Sequence, residues 1–285
     1  MADDLPTGVA MTLEPLVTRV LAPNASAYTH TGTQTHIVGR TDLAVIDPGP
    51  ADPAHHAAVL AAIAGRPVRA ILVTHHHRDH SPGAIRLAQD TAAPIVGCAP
   101  IVVQVEGEPA DAAFDVDYAP DRVLADGDAV SGIGWTLRAL ATPGHTANHL
   151  AFALPEANAL FSGDHVMSWA TSVVSPPDGD MGDYMASLEK LLLRDDRIYY
   201  PGHGEAVARP QRLVRGMLGH RKQREGQILR LLATAPHTIA DMVARMYVGI
   251  DPRLAGAAGR SVLAHLLDLE RRRLVTRKGD AWRGI

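Results

Sequence analysis

Thr74-His75-His76-His77-Arg78-Asp79-His80 follows directly on the apolar run Ala70-Ile71-Leu72-Val73, and this junction decides how the chain is read. A short apolar run bounded by turn residues is the pattern of a buried strand. Behind it, four side chains able to bind a metal, His75, His77, Asp79 and His80, fall within six residues. Neutral imidazole is the commonest metal-ligand side chain, and carboxylate also serves zinc. A tight loop at a strand end can aim His75 and His77 at one ion while Asp79 and His80 face a second. His76 alternates away from that face and is expected to be exposed. A solvated polar loop would not account for its place after a buried strand, nor for the histidines further along.

Three later pieces match it. Thr142-Pro143-Gly144-His145-Thr146-Ala147-Asn148-His149 offers His145 at a turn after the strand expected at Trp135–Ala141. Ser162-Gly163-Asp164 offers a carboxylate after Ala159-Leu160-Phe161, and Pro201-Gly202-His203-Gly204 offers a histidine after Arg197–Tyr200. The glycines let the backbone turn sharply enough for each ligand to reach one place. Between these pieces, strands are expected at Thr35–Val38, Leu43–Ile46, Pro94–Val96 and Leu150–Leu154. Helices are expected at Ala54–Ala64, Ile85–Asp90 and Tyr184–Leu193.

The series HxHxDH, PGHT, SGD and PGHG resembles the metallo-β-lactamase superfamily of zinc hydrolases over about residues 12–205. The resemblance implies an α/β fold, a four-layer αβ/βα sandwich with a dinuclear metal site at one edge of its two sheets. It implies that His75, His77 and His145 hold the first metal, that Asp79, His80 and His203 hold the second, and that Asp164 bridges them. Two zinc ions are the expected cofactors, with manganese, iron or cobalt suiting the same donors. Gly32-Thr33-Gln34-Thr35, the stretch Asp180–Leu188 and the C-terminal pattern are similar to the branch called beta-lactamase-like protein 2. That branch implies a winged-helix-like domain, giving a catalytic domain at 1–208 and a winged-helix-like domain at 209–285. Ser81-Pro82-Gly83 departs from the two glycines many members carry, which alters a loop and leaves the ligands in place. Asp47 is expected to orient a ligand, because ligating histidines need such partners. His165 and Thr146 are read as supporting or substrate-side residues. His149 is read either as a supporting donor or as a catalytic contact, and Asp79 as a ligand that also handles a proton.

From about Pro210 the texture changes. Gln211–Leu232 reads as one long helix, and Thr238-Ile239-Ala240-Asp241 is a capping box that opens a second. Asp251-Pro252 opens a third, running to about Arg273. Leu274–Arg277 and Ala281–Arg283 pair as a hairpin around Gly279-Asp280. Three helices and a hairpin make a winged-helix pattern. Residues 220–285 hold 13 Lys and Arg against 6 Asp and Glu, a net of +7, whereas the other residues sum to −11 and the whole chain to −4.

The composition of the 285 residues, 46% hydrophobic and 20% charged, excludes a disordered or collagen-like chain. No run approaches the ~18 apolar residues of a membrane span. The single Cys98 excludes an intramolecular disulfide and is expected to be a small buried residue. Asp3 and Asp4 stand where an export signal would be basic, so a cytoplasmic protein is expected. A homodimer is compatible with the sequence.

Two metals about 3.5–4 Å apart hold a bridging hydroxide at neutral pH, so metal-assisted hydrolysis is the expected reaction class. The beta-lactamase-like protein 2 resemblance implies cleavage of single-stranded RNA. The basic C-terminal part agrees with that, through Arg260, Arg271, Arg272, Arg273, Arg277, Lys278 and Arg283. Hydrolysis of a small acyl or thioester substrate, of glyoxalase II type, is the alternative. β-Lactam turnover would be promiscuous, since dedicated β-lactamases generally lack a carboxylate at the position of Asp164. A reading of another class is a winged-helix regulator that binds nucleic acid and carries a vestigial hydrolase domain. The intact ligand set and the small, apolar start of its third helix, Leu254–Gly259, weigh against it.

Overall fold

The computed structural model of the chain describes residues 5–101, 114–251 and 254–285, and they fall into two units. The first comprises Met1–Thr142, Asn148–Ala170 and Asp195–Pro210. It holds a seven-stranded sheet whose strands lie side by side in chain order: β1 (Ala10–Glu14), β2 (Val17–Leu21), β3 (Gln34–Val38), β4 (Leu43–Ile46), β5 (Val68–Val73), β6 (Ile95–Gly97) and β7 (Arg122–Val123). β1 to β4 form an antiparallel meander. β4 to β7 are parallel, and the crossovers from β4 to β5 and from β5 to β6 run through helices α1 (Pro53–Ile63) and α2 (Gly83–Thr91). The second sheet has the order β12-β11-β10-β9-β8, from β8 (Ala129–Gly132), β9 (Trp135–Ala141), β10 (Leu150–Leu154), β11 (Ala159–Gly163) and β12 (Ile198–Pro201). Only its β11–β12 pair is parallel.

Local chemistry explains these elements. Leu43-Ala44-Val45-Ile46 and the last four residues of β5 are buried, as continuous apolar runs in parallel strands should be. α1 begins where the Asp52 carboxylate accepts the His55 N–H at 2.7 Å and Pro53 presets the first turn. It stops at Ala64, which adopts the left-handed conformation. The two sheets share one core, in which Ile37, Val45 and Ile71 of the first meet Trp135, Phe152 and Phe161 of the second. The Trp135 indole N–H is satisfied by the Asp42 carbonyl at 3.0 Å. β1, β2, β7 and β8 are absent from the sequence reading for visible reasons. β7 has two residues, β1 and β8 are half-exposed edges, and β2 is interrupted by Arg19, whose guanidinium turns to Met11 Sδ at 3.1 Å.

This topology brings scattered residues to one rim. Asp47 follows β4, Thr74 to His80 follow β5, Asp164 follows β11 and His203 follows β12. His149 precedes β10, which runs antiparallel to β11, so it reaches the same rim.

The second unit comprises Pro143–Ala147, Thr171–Arg194 and Gln211–Ile285. It thus gathers two segments from inside the span 1–208. Its elements are α3 (Met181–Leu192), α4 (Pro210–Leu232), α5 (Ile239–Met246), α6 (Ala255–Arg271) and a small sheet ordered β13 (His237–Thr238), β15 (Ala281–Gly284), β14 (Val275–Lys278). α5 opens on the expected capping box, with Thr238 and Asp241 bonding reciprocally. Gly279 takes a positive φ of 60° at the hairpin turn. Trp282 of β15 seats on Ile228, Met242, Val262 and Leu266. Pro252, expected in the first turn of the third helix, lies outside the described residues; α6 itself starts at Ala255. Among the described residues no helix is long and apolar enough to cross a membrane.

His265 on α6 is buried, and its pKa is pushed down to about 3 by that burial and then by Arg221. The unfolded chain therefore binds a proton that the folded chain refuses. Stability conferred by the neutral ring is complete above pH 6.5 and is lost as pH falls from there toward 3, at up to about 1.4 kcal/mol per pH unit. His265→Leu should flatten the fall in melting temperature between pH 6.5 and pH 4. An unchanged slope would show that other groups carry it.

Candidate metal centre

The proton on each imidazole can be placed from its partners, and the placement decides what the rim can bind. Asp47 Oδ1 accepts the Thr74 N–H at 2.8 Å, and its Oδ2 accepts the Thr74 hydroxyl at 2.8 Å. That hydroxyl has one proton, now used, so at its 2.9 Å contact with His75 Nδ1 the ring donates. His80 Nδ1 meets Asp47 Oδ2 at 2.9 Å and donates as well. His203 Nδ1 donates to the Gly32 carbonyl at 3.2 Å. Each of these three rings thus donates from Nδ1 and turns its Nε2 to the rim. Asp47, buried and at a φ of 49°, serves His80 directly and His75 through Thr74.

The Nε2 atoms converge. His80 Nε2 lies 3.3 Å from His203 Nε2, 3.3 Å from Asp79 Oδ2 and 3.5 Å from Asp164 Oδ1. His203 Nε2 lies 3.1 Å from Asp79 Oδ2 and 3.2 Å from Asp164 Oδ2. His75 Nε2 faces His77 Nδ1 at 3.0 Å. Within this unit, two groups, His75 with His80 and Asp164, and Asp79 with His80 and His203, each present ligand atoms within 4.8 Å of one another. Imidazole nitrogens and carboxylate oxygens at such distances need positive charge among them, from a shared proton or from a metal ion. The electrostatics register the same demand. Burial alone would lower the pKa of His80, but Asp79, Asp164 and Asp47 outweigh it and hold it well above the usual histidine range. His203, also opposed by burial, is raised to about 9, chiefly by Asp164. The donor set of imidazole nitrogens and carboxylates fits a divalent metal such as zinc.

The remaining sequence-selected residues are placed as follows. His149 is buried, and its Nε2 accepts the Asp164 N–H at 3.2 Å, so its Nδ1 donates to Thr142 Oγ1 at 2.8 Å. His165 is buried, with its ring 5.8 Å from that of His149. His145 and Thr146 belong to the second unit. His145 Nδ1 donates to the Val173 carbonyl at 2.7 Å, the same Nδ1 arrangement as in the other rings, and the Thr146 carbonyl accepts the Gly144 N–H at 3.0 Å. Cys98 is buried, as expected. The expectation for His76 is overturned: its ring is 0% exposed. It points away from the ligand face, but into protein, against the Phe114 ring and the Asn148 amide, which lies 2.7 Å from Nδ1. Ser81, in the variant loop, hydroxyl-bonds Asp115 at 2.6 Å. Thr74, Thr142 and Asn24 escaped the sequence reading, because a hydroxyl or amide that holds a ligand carries no motif of its own.

Gly202 has no room for a side chain. A Cβ there would press on Asp164 Oδ1 and stand 2.6 Å from His80 Cε1. Gly202→Ala should therefore fold, as far-ultraviolet circular dichroism would report, yet lose at least about tenfold in metal affinity. Wild-type affinity in this variant would mean that the two ligands yield freely.

Residues 29–203 match the family described as Metallo-beta-lactamase superfamily, and residues 238–282 match the Beta-lactamase associated winged helix domain. A beta-lactamase-like protein 2 homolog of Drosophila melanogaster is 32% identical over 277 residues, which are 90% of this chain and 88% of the relative. An atrochrysone carboxyl ACP thioesterase of Paecilomyces divaricatus is 32% identical over 223 residues, 76% of this chain; the match spans 64% of that relative's length. The crystal structure of a beta-lactamase domain protein from Burkholderia ambifaria superposes with a TM-score of 0.83 at 22% identity, covering 100% of this chain and 96% of the other.

Proposed function

Because the chain belongs to the metallo-beta-lactamase superfamily and is on that footing a metal-dependent hydrolase, we propose that it holds two zinc ions and opens an acyl thioester. The observation that carries the reading is the convergence of the Nε2 atoms of His75, His80 and His203 on the carboxylates of Asp79 and Asp164. His75, His77 and His145 would hold one ion, and Asp79, His80 and His203 the other, with Asp164 between. His145 joins this set by its place in the PGHT motif. When bound, the ions supply a nucleophile at neutral pH and polarise the acyl oxygen. The net reaction adds water across the C–S bond and releases a carboxylic acid and a thiol.

The chain's own groups divide the work. Asp47 and Thr74 fix the tautomers of His75 and His80. His149, with one nitrogen on Thr142 and the other on Asp164 N–H, acts as a positioning residue for the Asp164 turn. The Asp79 side chain is 25% exposed against 9% for Asp164, so Asp79 is the better placed of the two to pass a proton to the departing sulfur.

A thioester is favoured over RNA for two reasons. Relatives of this chain are named as thioesterases. Two of the seven basic residues that would meet phosphates, Arg271 and Arg272, are also engaged within their own unit. Arg271 pairs with Asp180 at 2.8 Å and with Asp268 at 2.8 Å; Arg272 pairs with Glu225 at 2.8 Å and with Asp268 at 3.0 Å. Phosphate contacts need cations whose counterions can be released, and these cations already have internal partners. The test is thiol release from a short acyl thioester by zinc-loaded protein, by chelated protein and by His77→Ala. Zinc-dependent release lost in the variant is the expected result. No release, with cutting of end-labelled single-stranded RNA by wild type and not by the variant, would replace the thioester by the phosphodiester.

A further inference from the structure

Gly32-Thr33-Gln34-Thr35 touches the centre at every residue. The Gly32 carbonyl accepts from His203 Nδ1, Gln34 N–H donates to the Gly202 carbonyl at 2.8 Å, and its side-chain amide donates to the Gly204 carbonyl. Thr35 Oγ1 donates to the Asp47 carbonyl at 2.7 Å. Thr33 makes the contact that bears on chemistry: its buried hydroxyl lies 3.3 Å from Asp79 Oδ2, the oxygen that also faces His80 and His203.

The direction of that bond is fixed by a second residue. Asn24 Oδ1 accepts the Thr33 backbone N–H at 2.8 Å; a backbone N–H can only donate, so the amide cannot be flipped. Asn24 Nδ2 is then the atom 2.9 Å from Thr33 Oγ1, and it donates. The single hydroxyl proton of Thr33 is left for the carboxylate. Asp79 is the more open carboxylate of the two at the rim, and a terminal carboxylate torsion has a broad, two-fold profile. One donor held from inside removes that freedom.

We infer that Thr33, held by Asn24, is a positioning residue that sets the Asp79 carboxylate toward the His80–His203 end of the centre. The inference rests on the two-metal reading above. Loss of such a supporting bond typically costs about 10–100-fold in metal affinity. It should do so at one position only, because His75 and His77 have other supports.

Metal-free full-length protein titrated with zinc against a chromophoric chelator tests this without any substrate. Wild type should take two ions. Thr33→Val, which keeps the shape and removes the hydroxyl, should weaken one of the two affinities by about 10–100-fold and leave the other unchanged. Thr33→Ser should restore both. Asn24→Ala, which frees the hydroxyl proton to turn, should weaken the same step by less. Unchanged affinities in Thr33→Val and Asn24→Ala, or a joint loss of both affinities that serine does not rescue, overturn the inference alone. Fewer than two ions in wild type overturns the two-metal reading and this inference with it.

Discussion

His80→Ala should leave the protein without metal at the Asp79–His203 end and without measurable hydrolysis. The ring is fully buried and its Nε2 faces Asp79, Asp164 and His203 within 3.5 Å. No neighbouring side chain can replace it. Loss of residues that merely support a ligand costs about 10–100-fold in metal affinity, so loss of the ligand itself should exceed about 100-fold. A second effect follows in the metal-free state. Asp47, Asp79 and Asp164 then lose the cation their charges rely on, and removing one partner of a buried ionic cluster costs about 3–5 kcal/mol. Metal content after gel filtration, thiol release and the melting temperature should fall together. Wild-type metal content and rate in this variant would end the assignment of a metal centre to this rim.

Asp47→Asn and Asp47→Ala should separate orientation from folding. Asparagine tolerates the φ of 49° found at this position, and its oxygen can still accept the Thr74 N–H. Its NH2 group, however, would oppose two donors, the Thr74 hydroxyl and His80 Nδ1–H. Both His75 and His80 then lose the partner that holds their protons on Nδ1. The asparagine variant should fold near the wild-type temperature and bind metal about 10–100-fold more weakly. Alanine should do the same and also lose stability. It pays roughly 1–2 kcal/mol for the left-handed backbone and about 1–3 kcal/mol for an orphaned, buried Thr74 N–H. Chelator competition and metal-free thermal melts of the two variants check this. Equal metal affinity in wild type and Asp47→Asn would mean that Asp47 only closes a loop.

The candidate ligand residues and most of the strands are legible in the chain because they obey local rules. Leu43–Ile46, Trp135–Ala141 and Leu150–Leu154 are found at the expected bounds; the first and last are wholly buried, and the second buries the alternate residues Trp135, Leu137 and Ala139. Each expected ligand in the first unit follows a strand, and that is where a buried sheet releases its chain to the surface. What stays hidden depends on three-dimensional neighbours. His76 and His77 are indistinguishable in sequence, yet one ring meets the Asn148 amide and the other His75 Nε2. The service Thr33 gives Asp79 links positions 46 apart, and nothing local marks it. The basic C-terminal residues look available when charges are counted. Arg271 in fact meets Asp180, which lies 91 positions away. Pro143–Ala147 and Thr171–Arg194 carry no compositional sign that they group with the C-terminal helices.

The order in which the rim is assembled has a consequence for how the molecule survives. His75, His77, Asp79 and His80 are neighbours in any conformation, so even an unfolded chain keeps a weak local chelate. Asp164 and His203 reach them only when both sheets exist. An ion bound there would therefore discriminate between folded and unfolded chains by the grip of such late arrivals, and that difference would set how far it shifts the unfolding equilibrium. Scarcity of metal would be felt first as a shorter lifetime of the protein, before any substrate is present to record the loss.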